Sequence, residues 1–119
     1  IFHVSSGKLI LHDGVFTNNS CSFNCMERIE IGAGTMMGEG VRFYDHDHIY
    51  TAEKIEKWQW TSAPIIVGRD CWIGSNVTIL KGVTIGDNTI IGAGCLIRND
   101  VPANSVVYND GNLVVKERR

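Results

Sequence analysis

A six-residue period governs the second half of this chain and limits its fold more than any other feature. From Val67 the sequence divides into six consecutive hexads: VGRDCW, IGSNVT, ILKGVT, IGDNTI, IGAGCL and IRNDVP. The first position of each hexad is Val or Ile, and the fifth is Cys, Val or Thr. A period of six fits neither an α-helix nor a coiled coil. It predicts short strands joined by tight turns, with an aliphatic side chain pointing inward once per strand.

The first half of the chain repeats the same pattern less regularly. Hexads start at Leu11, Thr17, Phe23, Ile31, Met37 and Phe43, with a two-residue phase slip at Ile29–Glu30. Residues 44–64 break the pattern, and the hexads resume after Pro64. Because the repeat continues beyond the break, we interpret residues 44–64 as an excursion from one corner of a solenoid.

Such strands cannot bury their apolar side chains alone, so successive coils must stack to form the core. Three hexads make one triangular coil, and Gly, Asn and Asp near its corners tolerate a positive φ. The chain has thirteen glycines and only two prolines, as many tight turns require. We predict one all-β parallel β-helix domain over residues 1–119. Its coils span about 5–43 and 65–102, and an Asp110–Gly111 turn predicts a C-terminal hairpin within 103–119.

Composition excludes several classes of protein. A chain of 119 residues is long enough for one domain. It has 11 Lys and Arg against 13 Asp and Glu, so its net charge is -2 and it lacks the basic excess of a nucleic-acid-binding protein. Apolar runs are too short for a membrane span, and we expect no signal peptide, since the first residues lack its charged and apolar regions. The four cysteines lack zinc-finger spacing, so we expect reduced core residues in a cytoplasmic protein.

Two stretches carry a resemblance to a known superfamily. The segments IGAGTMMGEGVRFYDHDH and APIIVGRDCWIGSNVTILKGVTIGDNTIIGAGCLIRNDVP closely resemble the hexapeptide-repeat acyltransferases. The chain is most similar to the O-acetyltransferases acting on galactosides, maltose and bacterial surface polysaccharides. The resemblance implies a left-handed β-helix, acetyl-CoA as donor and a sugar or polysaccharide acceptor. It also implies a homotrimer whose active sites lie between neighbouring subunits.

The segment YDHDH, at the start of the excursion, contains the candidate catalytic base. Transfer of an acetyl group to a hydroxyl needs a base near neutral pH, which histidine supplies. The resemblance puts the catalytic histidine on His46, and His48 is the alternative. Either Asp45 or Asp47 can orient the ring. No third histidine falls in a neighbouring hexad column, so we expect no metal ion.

The resemblance also implies residues that bind the two substrates. The implied acceptor-binding residues are Asn18, Asn24, His48 and Trp72, and the implied donor-binding residues are Trp72, Ser75, Ala93 and Arg98. Two segments depart from the family pattern: Arg98-Asn99 replaces Thr-Lys, and residues 109–113 lack the usual proline and lysine.

Other interpretations stay open from the sequence. The protein could be an N-acetyltransferase of an amino-sugar nucleotide, or a non-catalytic β-helix scaffold with a degenerate donor site. Trp58 and Trp60, in the excursion, suit either stacking on sugar rings or clamping the excursion onto a neighbour. Asn18 and Trp72 also have purely structural interpretations, as a turn residue and as an interface residue.

Overall fold

The computed structural model describes residues 1–119, which form seventeen strands and no helix. In chain order the strands are β1 (Phe2–Val4), β2 (Lys8–Leu11), β3 (Phe16–Thr17), β4 (Ser22–Cys25), β5 (Arg28–Ile31), β6 (Met36–Met37), β7 (Arg42–Tyr44), β8 (His46–Tyr50), β9 (Ile55–Ser62), β10 (Ile65–Val67), β11 (Trp72–Ile73), β12 (Thr78–Leu80), β13 (Thr84–Ile85), β14 (Ile90–Ile91), β15 (Leu96–Ile97), β16 (Ser105–Asp110) and β17 (Asn112–Glu117). With no helix present, none is available to cross a membrane.

The strands form three parallel β-sheets, which are the three faces of a prism. Face A holds β1, β4, β7, β12 and β15, and face B holds β2, β5, β10 and β13. Face C holds β3, β6, β11, β14 and β16, with β17 antiparallel at its edge. Successive strands pass from face A to B to C, so each circuit adds one coil. The predicted β-helix is confirmed, as is the C-terminal hairpin, which turns at Gly111 with φ 75°.

The core is the stack of inward side chains that the hexads predict. Every first and fifth position from Val67 onward is buried: Val67, Cys71, Ile73, Val77, Ile79, Val83, Ile85, Thr89, Ile91, Cys95, Ile97 and Val101. In the first half, Phe23 and Phe43 stack with ring centroids 4.9 Å apart. Leu11 is exposed because β2 is the edge strand of face B.

The turns explain the recurrent glycines and asparagines. Five of the six fourth positions have a positive φ: Asp70, Asn76, Gly82, Asn88 and Gly94. Second-position glycines serve a different purpose, because the next coil approaches their backbone. A Cβ at Gly74 would lie 2.6 Å from the Ala93 backbone nitrogen, closer than real Cβ contacts come.

The phase slip corresponds to a widened corner between faces A and B. Phe23 pairs with Phe43, twenty residues on, whereas Thr78 pairs with Leu96, eighteen residues on. Ile29 is itself buried, so the two extra residues lie before it, within the turn Met26–Arg28, and not at Ile29–Glu30 as the sequence suggested.

The excursion is a β-hairpin instead of an irregular loop. β8 and β9 pair antiparallel from His46↔Ser62 to Tyr50↔Ile55. The hairpin leaves the prism after β7 on face A and returns before β10 on face B. It therefore projects from the corner that the extra residues widen, which we call the hairpin corner. The corner between faces C and A is called the groove corner.

Candidate functional site

The side chain of Asp45 holds the hairpin corner together through hydrogen bonds to the widened turn. Its side chain is buried, and its two oxygens accept hydrogen bonds from the backbone N–H groups of Met26, Glu27 and Arg28, each at 2.8 Å. The widened turn wraps its amides around this carboxylate, as in an anion-binding nest. Both departures from the hexad period therefore meet at one side chain.

Opposing effects act on the pKa of Asp45. Burial raises it, but the three backbone N–H donors and His46 lower it by more, so the pKa lies below its ordinary value. The carboxyl group is consequently ionised at neutral pH. An ionised carboxylate only accepts hydrogen bonds, so the His46 ring nitrogen that contacts it must be the one that carries a proton.

His46 follows Asp45 and contacts it through one ring nitrogen. His46 Nδ1 lies 3.0 Å from Asp45 Oδ1, and 23% of the His46 side chain is exposed. Because the carboxylate can only accept, Nδ1 carries a proton, and the neutral form of the ring has its free lone pair on Nε2. Trp60 also constrains the ring, with its centroid 6.4 Å away at an interplanar angle of 62°. His46 is thus held in the form that a general base needs.

An open pocket of about 280 Å³ adjoins His46. It is lined by His3, Val4, Ser5, Asn24, Met26, Tyr44 and His46. Asn24 is therefore brought beside His46, and its amide nitrogen donates to the Phe43 carbonyl oxygen at 3.1 Å. Sequence reasoning did not identify His3 and Tyr44. The parallel register His3↔Asn24↔Tyr44 places them in one outward column, but its intervals of 21 and 20 residues do not fit a count of three hexads.

The other half of the YDHDH segment lies on the hairpin and outside this pocket. Asp47 is exposed and lies 3.7 Å from Lys81 Nζ. His48 is also exposed, and its Nδ1 lies 3.3 Å from the Glu56 carbonyl oxygen. Of the two aspartates left open by the sequence, Asp45 is the one that contacts His46.

A second pocket, of about 330 Å³, lies at the groove corner. It is lined by Gly38, Trp72, Gly74, Ser75, Ile90, Ile91, Gly92 and Ala93. Three of the residues assigned to the donor, Trp72, Ser75 and Ala93, therefore come together. The Ser75 hydroxyl accepts the Glu39 backbone N–H at 3.1 Å. Small side chains and backbone line most of this groove, which fits a thin extended chain such as pantetheine.

The remaining two assigned residues do not join that groove. Asn18 lies at the groove corner, but on the first coil, directly after β3. Arg98 follows β15 on face A, so it lies at the hairpin corner. The assigned residues thus divide between two corners of one chain.

None of the four cysteines lines either of these two pockets. All four are free and buried. Burial, followed by the nearby charge of Asp45, raises the pKa of the Cys25 thiol to about 11, and burial also raises the pKa values of Cys71 and Cys95. A protonated thiol is a poor nucleophile. No group of three His, Cys, Asp or Glu side chains is arranged to hold a metal ion.

Comparison with known proteins agrees with the repeat. Residues 64–99 match the family described as bacterial transferase hexapeptide (six repeats). The galactoside O-acetyltransferase of Escherichia coli K12 is 36% identical over 89 residues, which make up 75% of this chain and 44% of that protein. The chain belongs to the hexapeptide-repeat transferase family.

Two solved structures of the hexapeptide-repeat family superpose on nearly the whole chain. A maltose O-acetyltransferase from Clostridium difficile 630 matches with a TM-score of 0.88 and 30% identity, covering 100% of this chain and 64% of that one. A Vibrio cholerae hexapeptide-repeat acetyltransferase, solved with acetyl coenzyme A, matches with a TM-score of 0.82 and 29% identity, covering 96% and 62%. The chain spans about half the length of the curated relatives it matches.

Proposed function

We propose that this chain is an O-acetyltransferase domain that moves an acetyl group from acetyl-CoA to a hydroxyl of a sugar or polysaccharide. The arrangement of Asp45 and His46 carries the proposal, because the contact of Nδ1 with Asp45 leaves Nε2 as the ring nitrogen that can accept a proton beside an open pocket. The names of the relatives, a galactoside and a maltose O-acetyltransferase, support the choice of substrates. The four free cysteines support a reducing compartment, and we place the protein in the cytoplasm.

In the proposed reaction, His46 Nε2 accepts the proton of the acceptor hydroxyl as its oxygen attacks the thioester carbonyl carbon. The carbon–sulfur bond then breaks, and the imidazolium returns the proton to the departing thiolate. Asp45 stabilises the imidazolium formed in between and keeps the proton on Nδ1. Cys25 lies beside Asp45 but is protonated, which supports direct transfer without an acyl-enzyme.

The division of assigned residues between two corners supports assembly into a homotrimer. Acetyl-CoA in the groove of one chain would meet His46 of the next chain, with Trp72 between them. An outward apolar column on face C is suited to such contact: Phe16, Met36, Trp72, Ile90 and Val106 lie in register. Trp72 is 53% exposed in the single chain. Burial of this column would add to the thin core of a short solenoid.

The acceptor is proposed to lie in the pocket beside His46, with Asn24 as a hydrogen-bonding partner. Asn18 and His48 remain proposed acceptor contacts, and Arg98 a proposed contact for CoA phosphates from its own corner. Arg98 is exposed and carries a permanent positive charge, as phosphate binding requires.

Transfer of labelled acetyl groups tests the proposal. Galactoside and maltose acceptors are offered beside amino-sugar acceptors, and His46→Ala is compared with His48→Ala. We expect transfer to hydroxyls, its loss in His46→Ala and its retention in His48→Ala. Transfer to amines alone would indicate an N-acetyltransferase. Failure to bind CoA in calorimetry would indicate a scaffold.

A further inference from the structure

The hairpin contains a wide break in its pairing, and a tryptophan stands at that break. His48 pairs with Trp60, but the next residue, Ile49, pairs with Glu56. Lys57, Trp58 and Gln59 are therefore left without partners on β8. A bulge of this kind redirects the side chains it carries. Trp58 is 86% exposed, more than any other large apolar side chain in the chain.

Trp60 connects this bulge with the site beside Asp45. Its ring lies at the edge of the His46 ring, 6.4 Å between centroids, and it is 39% exposed. Trp58 lies two residues earlier on β9 and is therefore further from the prism. We call these two residues the aromatic track: they lie two positions apart on β9, Trp60 beside the imidazole and Trp58 nearer the hairpin tip.

The base of this track is fixed to the prism. Ser62 Oγ donates to Glu27 Oε1 at 2.8 Å, and the Ala63 backbone N–H donates to the Asp45 carbonyl oxygen at 3.0 Å. The widened turn that holds Asp45 thus also anchors β9. A ligand held on the track would be kept in a defined position relative to His46.

We propose that Trp58 and Trp60 form a sugar-stacking subsite, so that the acceptor is a saccharide of at least two pyranose rings. This rests on the proposed acetyl transfer by His46. One ring presents its hydroxyl to His46, and the adjoining ring stacks its C–H face on Trp58. Lys57 and Gln59, which flank Trp58, are also unpaired at this bulge and carry donors that sugar hydroxyls can accept. The exposure of Trp58 is what such a subsite requires before the acceptor binds.

The test compares Trp58→Ala, Trp58→Phe and the control Tyr50→Ala, which removes an exposed aromatic from the hairpin tip. Acceptors are a p-nitrophenyl monosaccharide and tri- to pentasaccharides built from the same sugar, for galactose and for glucose. We expect Trp58→Ala to raise KM for the longer acceptors roughly 5- to 10-fold, with kcat and the monosaccharide KM unchanged. Trp58→Phe should retain most of the wild-type KM, and Tyr50→Ala all of it.

A binding measurement separates this proposal from the catalytic one. Fluorescently labelled full chain is applied to a glycan array without acetyl-CoA, and light scattering gives its oligomeric state. His46→Ala should bind oligosaccharides like the wild type, whereas Trp58→Ala should not, at unchanged oligomeric state. Binding that depends on Trp58 without any acetyl transfer would overturn only the catalytic proposal. Absence of oligosaccharide binding, an unchanged KM in Trp58→Ala, or loss of assembly in that variant would overturn the subsite.

Discussion

The groove corner and the hairpin corner occupy equivalent places in the coil and are built in opposite ways. At the groove corner Gly38, Gly74 and Gly92 lie in one column, and the hexad period is unbroken. At the hairpin corner the period is broken twice, by a widened turn and by a seventeen-residue hairpin, His46–Ser62. The groove corner is lined mainly by small side chains and backbone, whereas the hairpin corner holds the buried carboxylate and the imidazole.

The difference shows where the buried charge is held. A neighbouring coil approaches closely at both corners, since a Cβ at Gly74 would meet backbone atoms and so would one at Gly7. The longer turn at Met26–Arg28 directs three amides at one carboxylate. The buried charge of this chain therefore lies where the chain departs from the repeat.

The largest expected effect comes from removing the base at the hairpin corner. His46→Ala should lower kcat for acetyl transfer roughly 10²- to 10⁴-fold, the usual contribution of a general base. His12→Ala is the matched control, because His12 pairs with Glu30 at 2.7 Å and lies outside both corners described. Steady-state kinetics with thermal melting check both variants. Equal loss in His12→Ala, or normal kcat in His46→Ala, would contradict the assignment.

Removing the carboxylate should lower the stability of the fold as well as the activity of His46. Asp45→Ala leaves three N–H groups at the edge of the core without their partner, and we expect about 3–5 kcal/mol less free energy of unfolding. Asp100→Ala is the control from the regular coils, because Asp100 is exposed and accepts one N–H, from Thr84 at 2.8 Å. Its expected cost is about 1 kcal/mol or less. Urea unfolding distinguishes the two, and equal costs would mean that the widened turn does not depend on Asp45.

The pH dependence of stability follows from the lowered pKa of Asp45. The unfolded chain takes up this proton near the ordinary pKa of 3.8, whereas the folded chain does so only at a lower pH. The stabilisation is therefore complete above the ordinary pKa and is lost as the pH falls through the folded value. Urea midpoints between pH 6 and 3 should fall more steeply for the wild type than for Asp45→Asn. Parallel curves would show that the carboxyl group is not selectively stabilised in its ionised form.

The smallest expected effect concerns Cys25. Its pKa is raised to about 11 and its side chain is buried, so iodoacetamide should leave it unlabelled in the folded protein at pH 7. Mass spectrometry after brief exposure measures this, and acetyl transfer should be unchanged. Rapid labelling of Cys25 together with loss of activity would reopen acyl-enzyme chemistry.

The regular coils could be predicted from the sequence, and the hairpin corner only in part. Ile73, Ile79 and Ile85 recur every six residues, so their burial follows from the period. The period does not continue through YDHDH, and nothing in the sequence distinguishes Asp45 from Asp47. The difference arises from the amides of a turn seventeen to nineteen residues earlier in the chain. Tyr44 was missed for the same reason, because its register with Asn24 depends on the length of that turn.

Mixing subunits most directly tests whether the two corners of different chains make one site. His46→Ala inactivates the hairpin corner, and Ala93→Trp fills the groove, with Ala103→Trp as the control at another corner. Each inactive variant is refolded alone or with an equal amount of the other. In a cyclic trimer about a quarter of the interfaces then combine an intact groove with an intact His46, so about a quarter of wild-type transfer should return. Mixtures as inactive as their separate components would contradict a site shared between chains.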